Sequence, residues 1–370
     1  MRHRFLRLVA VVSVAGLVLA ACGSDDGGGS PPAASDGAAE PADISGTTLT
    51  ISNWDAYMPK SVVKGFEQET GVEVEYAIHT TNEDIMGKIT AANGTGFDLV
   101  FVSGPFVQAL TNLGWAAEID QSQIPNLSNL DPEATELAFD PGNTHSVPYT
   151  WGTTGICYRD DLVGDAPTSW EAFRTPSPQT DGKMTMLGTD RWLLQPALLS
   201  LGYSINTTDP AQIEEAKAWT MSAKENLLAF DDTTFYSKLV SGEASLVQAW
   251  DGWCEYGRAE DPKNIDFVIP DEGSDLWTDT MVVLEASENK AAAYAFIDYI
   301  LRPEIGKSIV EFTLYKMPNA GVMAAVDPAI IADFPTLAIT PTELFEQEAQ
   351  TDLGEDGTIL WTETATEIKA

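Results

Sequence analysis

From Thr47 to Leu113 the chain alternates strand and helix three times, and this order restricts its fold more than any other feature. Thr47–Ser52 is a short β-rich run. Pro59 opens a helix carrying Val62, Val63 and Phe66, and Gly71 closes it, with proline at the start and glycine past the end. Val72, Val74, Tyr76 and Ile78 alternate with Glu73, Glu75 and His79, the two-residue period of a strand. Asn82–Ala92 places Ile85, Met86 and Ile89 on one helical face. Asp98–Val102 is a short apolar strand of the kind buried in parallel sheets, and Phe106–Leu113 is helical again. Such alternation predicts an α/β fold with a parallel sheet.

The chain then changes character. Pro125–Pro141 is rich in Asn, Asp and Pro and reads as a connecting region. Val147–Tyr158 is β-prone and is expected to cross into a second lobe. That lobe would hold strands near Met184–Leu187, Glu243–Trp250 and Ile265–Ile269, with helices over Arg191–Leu201 and Pro210–Asn226 and another near Trp170. Thr280–Leu284 is apolar and is expected to return to the first lobe, followed by helices at Asn289–Leu301, at Pro303–Thr313 and after Leu360. The prediction is a two-lobed α/β clamshell, with parallel or mixed sheets flanked by helices. Lobe one would comprise residues 46–145 plus 275–370, and lobe two residues 146–274. Ligands of open α/β sheets bind at the carboxyl ends of the strands and between domains. The loops of interest are therefore 53–57, 103–106, 151–154, 189–192, 250–253 and 277–279.

Residues 1–45 stand apart from this pattern. Arg2, Arg4 and Arg7 precede an apolar run from Leu8 to Leu19, and Leu19-Ala20-Ala21-Cys22 follows. A charged segment, an apolar segment and small residues before a Cys predict a signal peptide over 1–21 and lipidation at Cys22. The apolar run is shorter than the roughly 20 residues a membrane span needs. Residues 22–45 are Gly, Ser, Pro, Ala and acids without an aromatic, a composition that cannot bury a core and suits a disordered tether. The protein is thus expected to be exported and held by lipid at the outer face of the cytoplasmic membrane or in the periplasm.

The net charge is −36. It fits either an adaptation for solubility or salt, or a field that draws cations to the surface. Nucleic acid is not an expected partner, because binding it needs clustered Lys and Arg. Cys157 and Cys254 remain once Cys22 is set aside, either as a disulfide in an oxidising compartment or as two separate buried thiols. His79 and His145 lie in no HExxH, and there is no GxSxG or Walker A motif and no nucleophile–base pair legible in the sequence. The chain is read as a binding protein without enzymatic activity, metal or cofactor.

Aromatic residues carry more information. Of the ten Trp, Trp54, Trp192, Trp250, Trp253 and Trp277 fall in the expected cleft loops, beside Asp55, Asp190, Asp251 and Asp279. A Trp face attracts a cation by about 0.5–2 kcal/mol, most where water is excluded. Acid next to ring suits an organic ammonium, whose charge goes to the carboxylate and whose methylenes lie on the rings. A bare metal ion would want oxygens without rings.

Asn53-Trp54-Asp55-Ala56-Tyr57-Met58-Pro59 resembles the first-strand motif of the periplasmic spermidine/putrescine-binding proteins of ABC transporters. The same holds for Asn82-Glu83 with Lys88, Phe97-Asp98-Leu99-Val100 ending at Ser103, and Asn129-Leu130-Asp131-Pro132. Further along, Val147-Pro148-Tyr149-Thr150-Trp151-Gly152-Thr153-Thr154, Leu201-Gly202-Tyr203-Ser204, Ala249-Trp250-Asp251-Gly252, Trp277-Thr278-Asp279 and Leu301-Arg302-Pro303 continue the resemblance to the C-terminus. The resemblance implies the type II periplasmic-binding-protein clamshell, two lobes closing on a ligand, with a membrane permease and an ATPase as partners, and action as a monomer. It implies that Trp54, Tyr57, Trp250 and Trp277 wall the ligand, that Asp279 binds an amine and that Ser103 is a polar contact.

Departures from the family pattern bear on the ligand. Ala56 stands where the family carries Glu, Pro105 where it carries an aromatic, and Thr189 and Trp192 where it carries two acids, with Asp190 between them. Trp253 is an added aromatic. Removing one member of a buried ion pair costs about 3–5 kcal/mol. A site short of acids favours putrescine-sized or singly charged ligands over spermidine unless Asp55, Asp190 or Asp251 substitutes. The expected ligand is a polyamine-type amine, with a mono-amine, an amino acid derivative or a non-amine solute as the alternative on the same fold.

Overall fold

The computed structural model describes residues 43–370, so the expected signal peptide, Cys22 and most of the tether lie outside the described residues. Strands and helices alternate at once: β1 (Thr48–Trp54), α1 (Lys60–Thr70), β2 (Glu73–His79), α2 (Asn82–Ala91), β3 (Leu99–Ser103) and α3 (Gly104–Asn112). Gly71 closes α1 in the left-handed conformation at φ 73°, and its N–H caps the Glu67 carbonyl. Thr81 caps α2 by accepting from the Asp84 N–H. The connecting region is three short 3-10 turns between Gln121 and Thr135.

The crossing between lobes comes later than the composition suggests. β4 (Val147–Gly152) pairs antiparallel with β10 (Asp275–Val283) in the first sheet, whereas β5 (Thr154–Arg159) pairs with strands of the second. The boundary expected at 145/146 therefore moves to Thr153. Both strands are almost wholly buried, so one continuous β-prone run serves two sheets with a single residue between them.

Lobe two continues with α4 (Asp160–Val163), β6 (Met184–Met186), α5 (Asp190–Ser200), α6 (Pro210–Lys224) and β7 (Leu227–Phe230). α7 (Phe235–Ser241), β8 (Leu246–Trp250), α8 (Asp251–Glu260) and β9 (Ile265–Val268) complete its sheet, of order β7-β6-β8-β5-β9. The chain returns through β10 (Asp275–Val283), which lies antiparallel to β3, and through α9 (Lys290–Ile300), α10 (Pro303–Thr313), α11 (Ala320–Ala325), α12 (Pro328–Asp333) and α13 (Pro341–Phe345). β11 (Glu348–Ala349) ends a first sheet of order β11-β10-β3-β1-β2, with β4 on β10. β1 runs parallel to β2 and β3, so the first sheet is mixed.

The terminal helix α14 (Gly354–Lys369) does not join lobe one, where the sequence placed it. Its Trp361, Ala365 and Ile368 are buried in the lobe-two core with Trp219, Leu194 and Ile213. The chain thus crosses between lobes at Thr153, at residues 269–274 and again after Gln350. Asp275, fully buried, gathers all three crossings. It accepts from the Thr154 N–H at 3.0 Å, Gln350 Nε2 at 2.9 Å, Trp192 Nε1 at 2.8 Å, Gln195 Nε2 at 3.2 Å and its neighbour Ser274 Oγ at 3.3 Å. A buried carboxylate needs this many donors to remain in place.

Cys157 on β5 and Cys254 on α8 form a disulfide, with Cα atoms 5.7 Å apart and a sequence separation of 97. It pins α8, whose first residue follows Trp250, to the lobe-two sheet. Among the described residues no helix is long and apolar enough to cross a membrane.

Candidate functional site

The carboxyl ends of β1, β3 and β8 carry Trp54, Ser103 and Trp250, and the opening half of β10 carries Trp277 and Asp279. The register places Asp279 opposite Ser103 on one side and Thr150 on the other, with an irregularity at Asp279/Thr280. Asp279 Oδ1 accepts from Ser103 Oγ at 2.6 Å, and Oδ2 accepts from Tyr57 OH at 2.7 Å. The Tyr57 hydroxyl also lies 2.7 Å from Thr150 Oγ1. Asn82 braces Ser103 from behind, donating to its Oγ and accepting from its N–H, both at 3.0 Å. Burial pushes the Asp279 carboxyl up to about 6, against the opposing effect of the Ser103 and Tyr57 hydrogen bonds.

Around this acid stands an aromatic frame. In lobe one the Tyr57 ring meets Trp54 at 5.6 Å, Tyr149 at 5.6 Å and Tyr315 at 5.8 Å, each edge to face. Tyr315 meets Trp277 at 5.1 Å and is buried between them. In lobe two the Trp192 and Trp250 rings meet at 5.3 Å. Aromatic pairs at such spacing and edge-to-face angle hold each other's planes. Trp277 lies within β10 rather than in a loop, and its Nε1 has no hydrogen-bond partner. Sequence reasoning missed Tyr315. It follows α10 without a motif of its own, and only the fold places it between Tyr57 and Trp277.

Gly152 is what allows Trp277 to lie where it does. A Cβ there would sit 2.3 Å from Trp277 Cζ2 and 2.5 Å from Asp251 Oδ1. The strand end must therefore carry glycine for ring and acid to approach it together.

Several predicted acids are engaged elsewhere. Asp251 is buried, and its Oδ2 accepts from Lys316 Nζ at 2.9 Å while its Oδ1 accepts from the Gly252 N–H at 2.9 Å. It serves the start of α8 and a lysine rather than standing free. Asp190, at the start of α5, pairs with Lys369 Nζ at 3.1 Å. Thr189 precedes α5, and its N–H donates to Asp232 Oδ1 at 3.2 Å. Asp55 is exposed and accepts from the Ala56 N–H at 2.9 Å, in a turn where Ala56 takes φ 53°. Trp253 is in α8, not in a loop, and packs on Phe235, Tyr236 and Tyr256 at 5.3, 5.9 and 6.0 Å besides Trp250 at 6.2 Å.

One serine–histidine pair exists that the sequence did not reveal. Ser52 Oγ lies 2.8 Å from His79 Nδ1 beneath the Trp54 ring. Both residues are fully buried, and burial holds the His79 imidazole down to about 4. With no acid on Nε2, the pair lacks the orienting group and the access that nucleophilic catalysis requires.

Residues 61–337 match the family model of the bacterial extracellular solute-binding proteins. The spermidine/putrescine-binding periplasmic protein of Escherichia coli is 33% identical over 308 residues, covering 83% of this chain and 87% of that one. The solved spermidine/putrescine ABC transporter substrate-binding protein of Streptococcus pneumoniae superposes with a TM-score of 0.76 at 27% identity, covering 87% of this chain and 98% of the other. A solved lipoprotein of Treponema pallidum gives 0.78 at 26% identity, covering 87% and 99%. The family model spans most of the chain and the Escherichia coli relative is 33% identical across 83% of it, so the chain belongs to the bacterial extracellular solute-binding protein family.

Proposed function

We propose that this protein is the receptor of an ABC importer, held outside the cytoplasmic membrane by lipid on Cys22, and that it captures an organic amine and delivers it to a membrane permease powered by an ATPase. The observation that carries this reading is Asp279. Its half-buried carboxylate stands between Ser103 and Tyr57, within the Trp54–Tyr57–Tyr315–Trp277 frame. A carboxylate set among ring faces favours an ammonium on a carbon chain over an anion or a neutral sugar. The relatives named for spermidine and putrescine support the same ligand class. The similarity to a solved lipoprotein supports the anchor.

Lobe one contributes Trp54, Tyr57, Ser103, Trp277 and Asp279, and lobe two contributes Trp192 and Trp250. A ligand touching both sets favours the closed arrangement by the contacts that exist only there. Binding to the folded state alone raises the melting temperature by mass action. A thermal-shift series with amines, amino acids, sugars and carboxylates tests the reading. Amines should raise the melting temperature, and a shift produced only by a non-amine solute would assign the cleft to another ligand class.

A further inference from the structure

We infer that the cleft recognises a single ammonium group, held at Asp279, and that its substrate is an organic monocation rather than a diamine or polyamine; the inference rests on the reading of the cleft as an amine site. Asp251 is the acid best placed to receive a second charge. It follows Trp250, and its Oδ1 and Trp277 Cζ2 both crowd the same point beside Gly152, so the carboxylate lies directly behind a cleft wall. Lys316 cancels it. The Lys316 ammonium, itself buried, donates to Asp251 Oδ2 at 2.9 Å and to the Thr336 carbonyl at 2.9 Å. The lysine belongs to the strand-like segment that bridges Trp151 in lobe one, and the acid opens α8 in lobe two. A second ammonium at this wall would meet a pair already neutral.

Asp190, Asp232, Asp275 and Asp55 offer no replacement. Asp190 is turned to Lys369, and the same Nζ donates to the Gly188 carbonyl. Asp232 has its Oδ1 taken by the Gly188 and Thr189 N–H groups and also feels the Lys369 charge. Asp275 is fully buried and saturated by protein donors. Asp55 is exposed, where water screens its charge. Trp192, half-buried against Trp250, presents a ring where a second carboxylate would be needed. A second cationic end therefore meets aromatic surface without an anion, and burying an unpaired charge is unfavourable.

Titration calorimetry on the full chain with 4-aminobutan-1-ol, putrescine and spermidine tests this, since the first two share a four-carbon chain and differ by one charge, and spermidine adds an aminopropyl arm with a third charge. Putrescine has two equivalent ends, so chance alone allows it about a twofold advantage. The expected result is 4-aminobutan-1-ol binding within that factor of putrescine or better, with spermidine weakest. An advantage for putrescine or spermidine beyond that factor overturns the inference and leaves the amine reading standing. Failure of all three to bind overturns both. Lys316→Gln exposes Asp251 as an unpaired acid and should shift the putrescine to 4-aminobutan-1-ol affinity ratio toward putrescine by about tenfold. An unchanged ratio in a variant with native circular dichroism would show that Lys316 does not mask the second site, and the titration of the natural chain decides the charge count by itself if that variant does not fold.

Discussion

Tyr57 donates its hydroxyl hydrogen to Asp279 Oδ2 across 2.7 Å, linking the loop after β1 to the middle of β10. Together with Ser103 it fixes the carboxylate against rotation, yet burial outweighs both donors and raises the acid from 3.8 to about 6. Below that value the unliganded site is neutral. An ammonium needs the ionised form, so binding releases a proton at acid pH.

Amine affinity should therefore be constant above pH 7 and fall toward tenfold per pH unit below about 6. For the empty protein the sign is opposite. An acid raised in the folded state contributes stability at low pH that is lost as pH rises through about 6. Calorimetric titrations from pH 5 to 8 check the first statement, and a flat affinity profile would contradict it.

His79 should act against the empty protein at low pH. Burial depresses it from 6.5 to about 4, so the unfolded chain takes up a proton that the folded chain refuses. Stability falls as pH drops through that window, by an amount on the order of 3 kcal/mol at its lower end. Urea unfolding at pH 7 and pH 4.5 should show a loss that His79→Gln reduces.

Trp250 and Trp253 are neighbours with different roles. Trp250→Ala should weaken amine binding by the worth of one ring face, about 0.5–2 kcal/mol or roughly 2- to 30-fold. Trp253 is packed by Phe235, Tyr236 and Tyr256, so Trp253→Ala should lower the melting temperature and change affinity by less than about threefold. Equal affinity losses in both variants would mean that Trp253 faces the ligand.

The first six elements were legible because each is a local pattern: Pro59 and Gly71 bracket α1, and the alternation of Val72 to His79 marks β2. Asp279 stood out locally as an acid two residues from Trp277, whereas the roles expected for Tyr57 and Ser103 came from the resemblance to the spermidine/putrescine-binding proteins and from no local pattern. What escaped is non-local. The single-residue break at Thr153 leaves no mark in a stretch that is β-prone and buried on both sides. Asp251 and Asp190 read as free acids beside rings, since Lys316 and Lys369 lie 65 and 179 residues away in sequence. The terminal helix has an apolar face, but nothing local says which lobe covers Trp361.

Gly152→Ala should displace Trp277, because the added methyl would lie 2.3 Å from its ring and 2.5 Å from Asp251. The expected result is weaker amine binding together with a lower melting temperature. Native affinity in this variant would show that Trp277 does not form the wall.

Reduction of Cys157–Cys254 reopens a 97-residue separation. The chain-entropy model gives a loss on the order of 4–5 kcal/mol. The paired variant Cys157→Ala with Cys254→Ala should unfold at lower urea concentration while its amine affinity, measured below that concentration, stays within about threefold of the natural protein.

The most direct measurement compares amine titrations of the natural protein and Asp279→Asn, with melting temperatures taken alongside. The asparagine still accepts from one of the two hydroxyls and removes a buried charge, so the melting temperature should stay within about 3 °C. Amine affinity should fall well over tenfold. Unchanged affinity in the folded variant would contradict the assignment of Asp279 as the counter-charge on which the cleft is built.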